Sequence, residues 1–423
     1  MKIVLFNVKF SANVGDGVIA ECLEGTIRNL RPSATVTSID MAGRTHYGSG
    51  TVRNRAIILR VLEALPVLVR NAIVRFRLRL VLSRLSPDWL VQIRGADLAV
   101  IGGGNLLQDD NLNFPLKVAA VLDLCCKAGV PVALFAVGVS KIWSAEAMRL
   151  FGQLSLNEVV DVCVRDVESQ EAWRSHFAGD FEPVEVCPDP GILAAGIFAT
   201  IPRIQHGRKL VAIGVTHPTV LQHHSDASLH LIPGANSRWF ADLALQLCER
   251  NHDVLFFTNG AEEDQVQLRK VMTDARIAIL IEKKRITAAE APATPADLAA
   301  IIQSSDGVVA HRLHANILAY AFGKPHVGLH WDMKIGSFLR SVGREKYLVH
   351  DADMSPGFIA DLFVGALNDG IDESKRVASV DQARASIGNL IDKVDRRETT
   401  AARSLRRPLR KTTKSKSSNT KSV

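Results

Sequence analysis

The 423 residues carry 51 Lys and Arg against 44 Asp and Glu, with 47% hydrophobic and 22% charged content. That length exceeds one ordinary core and predicts two domains, and the composition excludes a disordered or fibrous chain. The formal charge of +7 is local: from Arg396 onward ten basic residues face only Glu398, so the rest is near neutral and no nucleic-acid partner is expected.

No apolar run reaches the roughly eighteen residues that a transmembrane helix needs. The opening MKIVLFNVKF lacks the apolar length and cleavage site of a signal peptide. Cys22, Cys125, Cys126, Cys163, Cys187 and Cys248 show no C-x-x-C spacing and sit in apolar surroundings. This pattern predicts buried free thiols in a reducing cytosol, hence a cytoplasmic location.

Lys2–Val8 reads as a strand that runs into Asn13-Val14-Gly15-Asp16-Gly17 and a helix to Leu30. A strand, a glycine-containing turn and a helix N-terminus suit a phosphate, although the G-x-G-x-x-G dinucleotide spacing is absent. Thr35–Ile39 is a second strand. Thr51–Arg94 then carries nine arginines among Ile, Leu and Val, against Glu63 and Asp88, with breaks expected at Pro66 and Pro87. Two readings fit this segment: basic amphipathic helices lying on an anionic membrane, or surface helices whose arginine stems cover apolar neighbours.

Asp97–Ile101 is a strand delivering Gly102-Gly103-Gly104-Asn105, a run that permits either close backbone approach to a ligand or a tight turn. A helix (Pro115–Ala128), a strand (Pro131–Val137) ending in Gly138-Val139-Ser140, and a helix near Ala145–Leu154 follow. The strand Val159–Val164 delivers Arg165-Asp166, and Val184–Cys187 delivers Pro188-Asp189-Pro190-Gly191. Repeated strand–turn–helix units predict a doubly wound parallel sheet over residues 1–198.

The aperiodic stretch Ala199–Arg208 marks the boundary. A second α/β domain is expected over 209–395, with strands Leu210–Val215, Asp253–Thr258, Ile277–Ile281, Gly307–Ala310 and His326–Leu329. Ser355–Leu367 and Lys375–Val394 are expected to close it as helices, and the Ser/Thr/Lys/Arg-rich tail 396–423 to be disordered. His217, His223 and His224 match no zinc spacing and read as an exposed loop; no metal site is expected. Trp143 and Trp331 are placed either to stack on a sugar or to fill the core.

The richest chemistry lies in Ser304–His330, where the strand Gly307–Ala310 delivers His311, Arg312 and His314 to a strand-to-helix turn. Ligands of open α/β sheets bind at such turns. Arginine forks onto carboxylate or phosphate there, and histidine passes a proton near neutral pH; the alternative for each residue alone is that Arg312 caps a carboxylate of a neighbouring helix and His314 packs under the sheet.

With Asn13-Val-Gly-Asp16, Gly102-Gly-Gly-Asn105, Val137–Ser140, Val164-Arg165-Asp166 with Ser169, Asp189-Pro190, Ser305-Asp306, Arg312-Leu-His-Ala315 and Gly323-Lys-Pro325 in this order, the chain resembles the polysaccharide pyruvyl transferases. The resemblance implies two Rossmann-like domains with parallel sheets facing across a cleft, as in glycosyltransferase-B folds. It implies transfer of a pyruvyl group from phosphoenolpyruvate to a sugar of a cell-surface polysaccharide or its precursor, forming a pyruvate ketal.

By that similarity Arg165 and Arg312 hold the donor's carboxylate and phosphate, and His314 is the acid. Asn13, Gly15, Gly103, Gly104 and Asn105 belong to the substrate-binding set. Asp16 is placed either to take a hydroxyl proton or to cap the first helix, and Lys324 either to add charge to the site or to stay in solvent. Phosphoenolpyruvate is the donor substrate, so no further cofactor is called for. The acceptor is a saccharide, free or lipid-linked, and the basic segments point to peripheral contact at the inner membrane face. The competing readings are a nucleotide-sugar-dependent glycosyltransferase of the same two-domain fold and a non-catalytic sugar- or lipid-binding scaffold.

Overall fold

A computed structural model describes residues 1–48, 66–202, 207–224, 236–350 and 353–405. Its central strands are apolar runs buried on both faces, which requires helices on both sides of each sheet. The first sheet holds β1 (Lys2–Asn7), β2 (Thr35–Asp40), β3 (Leu98–Leu107), β4 (Val132–Val139), β5 (Val159–Val164) and β6 (Glu185–Val186) in the order β2-β1-β3-β4-β5-β6. The second holds β7 (Leu210–Gly214), β8 (Asp253–Phe257), β9 (Ile286–Ala288), β10 (Gly307–Ala310), β11 (His326–Leu329) and β12 (Leu348–Val349) in the order β12-β11-β10-β7-β8-β9. Every pairing is parallel. These are two Rossmann-like units of the glycosyltransferase-B type.

The two units share one apolar core. Val18, Cys22 and Ile192 of the first cluster with Leu298, Ile302 and Leu318 of the second. At the N-terminus of the first helix (Val14–Leu30), the Val14 amide donates across the junction to the Asn259 carbonyl at 2.9 Å. The C-terminal helix Glu373–Leu405 straps the units together. It starts beside the second, where Arg376 donates to the Ala321 carbonyl at 3.0 Å. It ends on the first, with ion pairs Lys393–Asp161 at 2.6 Å, Arg31–Asp395 and Arg397–Glu158. Chain order alone assigned this helix to the second domain; its apolar stripe of Ile387, Leu390, Ile391 and Val394 fills the shared core instead. Helix continues to Leu405, so the first part of the tail expected to be disordered is helical, and residues 406–423 lie outside the described ones.

Several local expectations are corrected. Ile277–Ile281 is not a strand: Ala275–Ile277 and Ala278–Glu282 are helical turns, and Ile279 is exposed while Ile277 is buried. The edge strand is Ile286–Ala288, paired to β8. Pro87 does not break its helix, which runs from Val67 to Ile93; the Ser86 hydroxyl donates to the Leu82 carbonyl at 2.7 Å where the ladder is interrupted. The part of the arginine-rich segment before Pro66 lies outside the described residues. Pro218–His224 is a short helix rather than a loop. Cys163 and Cys187 form a disulfide between neighbouring strand ends, and Cys126 is exposed, so only Cys22, Cys125 and Cys248 are buried free thiols.

Candidate active site

The C-terminal strand ends of the first sheet meet two helices of the second unit, Leu313–Ala321 and Met333–Ser341. Arg165 leaves β5 with its amide bonded to the Val137 carbonyl at 3.0 Å, so its side chain starts at the sheet's upper edge. Its path passes Gly138, where an added Cβ would come within 2.9 Å of Nη2. The Arg165 side chain is only 7% exposed, and Nε donates to Asp166 at 3.2 Å. Asp166 in turn caps the helix Val167–Phe177 by accepting from the Ser169 amide at 2.7 Å. Burial alone would raise the Asp166 carboxyl, but Arg165 and Ser169 hold it below its ordinary value.

Asp189 caps the short helical segment Pro190–Gly196 through its Oδ1, which accepts from the Gly191 amide at 2.9 Å. Its Oδ2 is buried without a hydrogen bond. Burial pushes this carboxyl up, against the opposing charge of Arg165. Facing it at 4.0 Å is His314 Nε2, also buried and unpartnered. His314 occupies the first turn of Leu313–Ala321 and reaches back to the first helix of the other unit. A Cβ on Gly15 would lie 2.8 Å from His314 Nδ1, so only glycine admits the ring there. Burial pushes the His314 imidazole down to about 4, with the Asp16 carboxylate opposing the shift. The imidazole is therefore neutral at pH 7.

Two hollows adjoin at Arg165. The inner one, about 110 Å³, is lined by Arg165, Asp166, Pro188, Asp189, Lys334 and Ser337 among others. The outer one, about 440 Å³, adds Asn105, Gln108, Asp110, Ser140, Lys141 and Glu168. Arg165 and Lys334 are the cations common to both, one from each unit. Much of the inner lining is apolar, from Ile192, Leu313, Ile317 and Phe338 among others, with two cations and two carboxylates, Arg165, Lys334, Asp166 and Asp189; the outer lining is mostly polar.

The remaining residues singled out in the sequence divide clearly. Asn13, not Asp16, caps the first helix, accepting from the Gly15 amide at 3.3 Å; Asp16 stands within electrostatic reach of His314. Asn105 lines the outer hollow and donates to Gln108 at 2.5 Å. Gly103 and Gly104 line neither hollow and lie within a strand, not a turn; their φ of 76° and 87° kink β3, and a Cβ on Gly103 would strike Ile19. Arg312 lines neither hollow: Nε and Nη2 both donate to Asp264, at 3.2 and 2.6 Å. Lys324 is removed from the site altogether. The chain has by then returned to the opposite edge of the sheet, where Lys324 donates to the Gln303 and Ser305 carbonyls at 2.9 and 2.7 Å. Trp331 is buried, with its indole N–H bonded to the His311 carbonyl at 2.7 Å, and Trp143 stacks on His176 at 3.7 Å; both pack rather than face a ligand. The sequence reading gave no role to Asp189 or Lys334. The Asp-Pro step after β6 was a signal for the first, since it ends a strand at the same edge as Arg165; nothing local marks Lys334.

His311 and His326 share the burial of His314, which pushes each down to about 3. In the unfolded chain such groups titrate near about 6.5. Below that value the unfolded state takes up protons that the native state refuses, so stability is full above it and falls as pH drops toward the folded values. Each histidine contributes up to about 1.4 kcal/mol per pH unit in that window. The urea midpoint should accordingly be flat above about pH 7 and fall steeply between about pH 6 and 4. His326→Gln should reduce that slope; an unaltered slope would show that carboxylates alone set the acid limit.

The protein is thus a two-unit α/β fold with a buried arginine, a lysine and a neutral histidine near where the units meet. The polysaccharide pyruvyl transferase family model matches residues 13–333, and the chain belongs to that family. No curated protein matches it. Among solved structures it is similar to a protein described as a UDP-N-acetylglucosamine 2-epimerase from Listeria monocytogenes, at 12% identity and a TM-score of 0.52 over 91% of each chain. It is similar also to a UDP-glucosyltransferase from Polygonum tinctorium, at 10% identity and a TM-score of 0.50, over 93% of this chain and 98% of that one. At such identities these two structures establish the fold alone.

Proposed function

We propose that the protein transfers the pyruvyl unit of phosphoenolpyruvate onto two hydroxyls of a sugar, forming a pyruvate ketal on a polysaccharide or its lipid-linked precursor. The observation that carries this reading is the inner hollow, small and lined by Arg165, Lys334 and Asp189, with His314 outside the lining at 4.0 Å from the Asp189 carboxylate. Phosphoenolpyruvate is compact and highly charged, so it needs fixed cations rather than a base pocket and a pyrophosphate site. Arg165 and Lys334 hold its carboxylate and phosphate. Arg312, fixed by Asp264, adds a positive field at His314 rather than a contact.

The bound trianion favours the imidazolium over the neutral ring, offsetting the burial that holds His314 down in the free protein. His314 then protonates the methylene carbon, and C2 becomes electrophilic. A sugar hydroxyl in the outer hollow attacks C2 and gives up its proton to Asp16 or water. Phosphate leaves, the second hydroxyl adds to the same carbon, and one proton from the two hydroxyls ends on phosphate while the other restores His314. Carbon, oxygen and proton counts close on ketal plus inorganic phosphate.

Thermal denaturation against a panel of ligands tests the donor. Phosphoenolpyruvate at about 100 times its Kd should stabilise the fold by about 2.7 kcal/mol, whereas UDP- and GDP-sugars should leave it unmoved. Release of phosphate with a cell-derived glycan fraction, together with an acid-labile product, completes the assignment. Turnover of a nucleotide-sugar without response to phosphoenolpyruvate would replace it with the glycosyltransferase reading.

A further inference from the structure

The helix Val67–Ile93 is 27 residues long, about 40 Å, whereas the six-residue strands beside it span about 20 Å. Its C-terminal half packs on the sheet, with Leu82, Trp89 and Ile93 buried. Leu85 sits against Gly43, just past the end of β2, which places it level with the edge where Arg165 and Asn105 lie. The helix N-terminal to Leu85 therefore runs past that edge on the side of the hollows, with Leu82 and Leu78 still packed against the core. Arg79 confirms the level: it pairs at 3.7 Å with Glu146, in the first turn of the helix that follows β4.

The projecting turns are built for an apolar surface. At 100° per residue Val69, Ile73, Phe76 and Leu80 fall within ~60° of one another, on the side opposite Leu82, Leu85 and Trp89. All four are exposed, Phe76 by 64%. A soluble surface helix shows one apolar stripe, toward its core; this one shows a second, outward. Arg77 and Arg84 border that stripe along one side and are exposed as well. Acidic residues are missing from the projecting part, Asp88 being the helix's first carboxylate. No described helix is long and apolar enough to cross a membrane, so insertion would be confined to the interface.

We infer that the outward stripe of Val69, Ile73, Phe76 and Leu80, bordered along one side by Arg77 and Arg84, is a docking surface for an anionic lipid bilayer. Charge complementarity selects this occupant: arginines bordering apolar side chains match phosphate headgroups over acyl chains. The bilayer then lies beside the open outer hollow, where a saccharide carried on a lipid presents its sugar. This inference rests on the proposed acceptor chemistry, but its test does not.

The test uses the full chain in vesicle flotation, with phosphatidylcholine vesicles alone and with about 30% phosphatidylglycerol. Binding is expected only to the anionic vesicles, weaker at high salt but retained in part because apolar side chains insert. Ile73→Ser with Phe76→Ser should lower partitioning roughly tenfold or more, and Arg77→Glu with Arg84→Glu should abolish its preference for anionic lipid. Both variants are solvent-exposed, so their phosphate release with a soluble glycan fraction should equal that of the parent, which separates failure of docking from failure of the proposed reaction. Equal binding to neutral and anionic vesicles, or none to either, would overturn the inference. So would a concentration-dependent dimer that Ile73→Ser with Phe76→Ser disperses, since a second copy would then own the stripe.

Discussion

His314→Ala is expected to lower turnover about 10²–10⁴-fold while the affinity for phosphoenolpyruvate stays close to that of the parent. The ring is buried between Gly15 and Asp189 and neutral in the free protein, so it adds little charge for the donor to bind. What its loss removes is a proton at the methylene carbon. The pH profile provides a second readout. The acid form is the active one, and burial holds the free protein's imidazole at about 4, so kcat/KM should rise as pH falls from 8 toward 6 rather than peak at neutrality. His314→Gln keeps much of the volume and serves where alanine leaves a cavity. If either variant loses donor binding while its single-turnover rate on bound donor is unchanged, His314 is a binding residue and the acid lies elsewhere.

The fold was legible because its signals are local. Each strand is a short apolar run ending at glycine, proline or a polar pair, and that pattern located ten of the strands to within a few residues. The exceptions are instructive. Ile277–Ile281 has a strand's composition, but Asp274 caps a helical turn there by accepting from the Arg276 amide at 3.0 Å, and the pairing edge of β8 is taken by Ile286. Leu348–Val349 is too short to stand out in any sequence pattern.

The site was only partly legible, for a related reason. Arg165 directly follows β5, Asn105 lies near the end of β3 and His314 lies in the first turn of the helix after β10, so chain order placed them at the right edge. Lys324 follows a helix and lands at the other edge, although its neighbours in sequence look like part of the same motif. For Arg312 the alternative reading, a pairing with a carboxylate of a neighbouring helix, is the one realised, but nothing local names that carboxylate as Asp264, 48 residues away. Lys334 reaches the hollows from Met333–Ser341. Contacts across the junction of two units are decided by how the sheets stack, and no local spacing records that.

Arg165 and Arg312 therefore call for different expected results from the same substitution. Arg165 lines both hollows and its only charged hydrogen-bond partner among the described residues is the adjacent Asp166. Arg165→Ala removes a cation that the donor's anionic groups need, and one charge-assisted hydrogen bond is worth roughly 1.5–3 kcal/mol, or about a 10–150-fold loss of affinity. It also leaves Asp166 without the charge that holds its carboxyl down and Asp189 without the charge that opposes its rise, so a loss of stability must be separated from a loss of binding. Arg165→Lys keeps the charge but not the planar fork, and should fold normally while binding phosphoenolpyruvate about tenfold more weakly. Arg312→Ala leaves the fully buried Asp264 unpaired, which costs on the order of 3–5 kcal/mol of stability, with a smaller effect on donor affinity. Titrating phosphoenolpyruvate by calorimetry into each variant, alongside urea unfolding, separates the two roles. If Arg165→Lys binds the donor like the parent while Arg312→Ala folds normally and does not bind it, the assignments must be exchanged, and the units must close further on the donor than they do here.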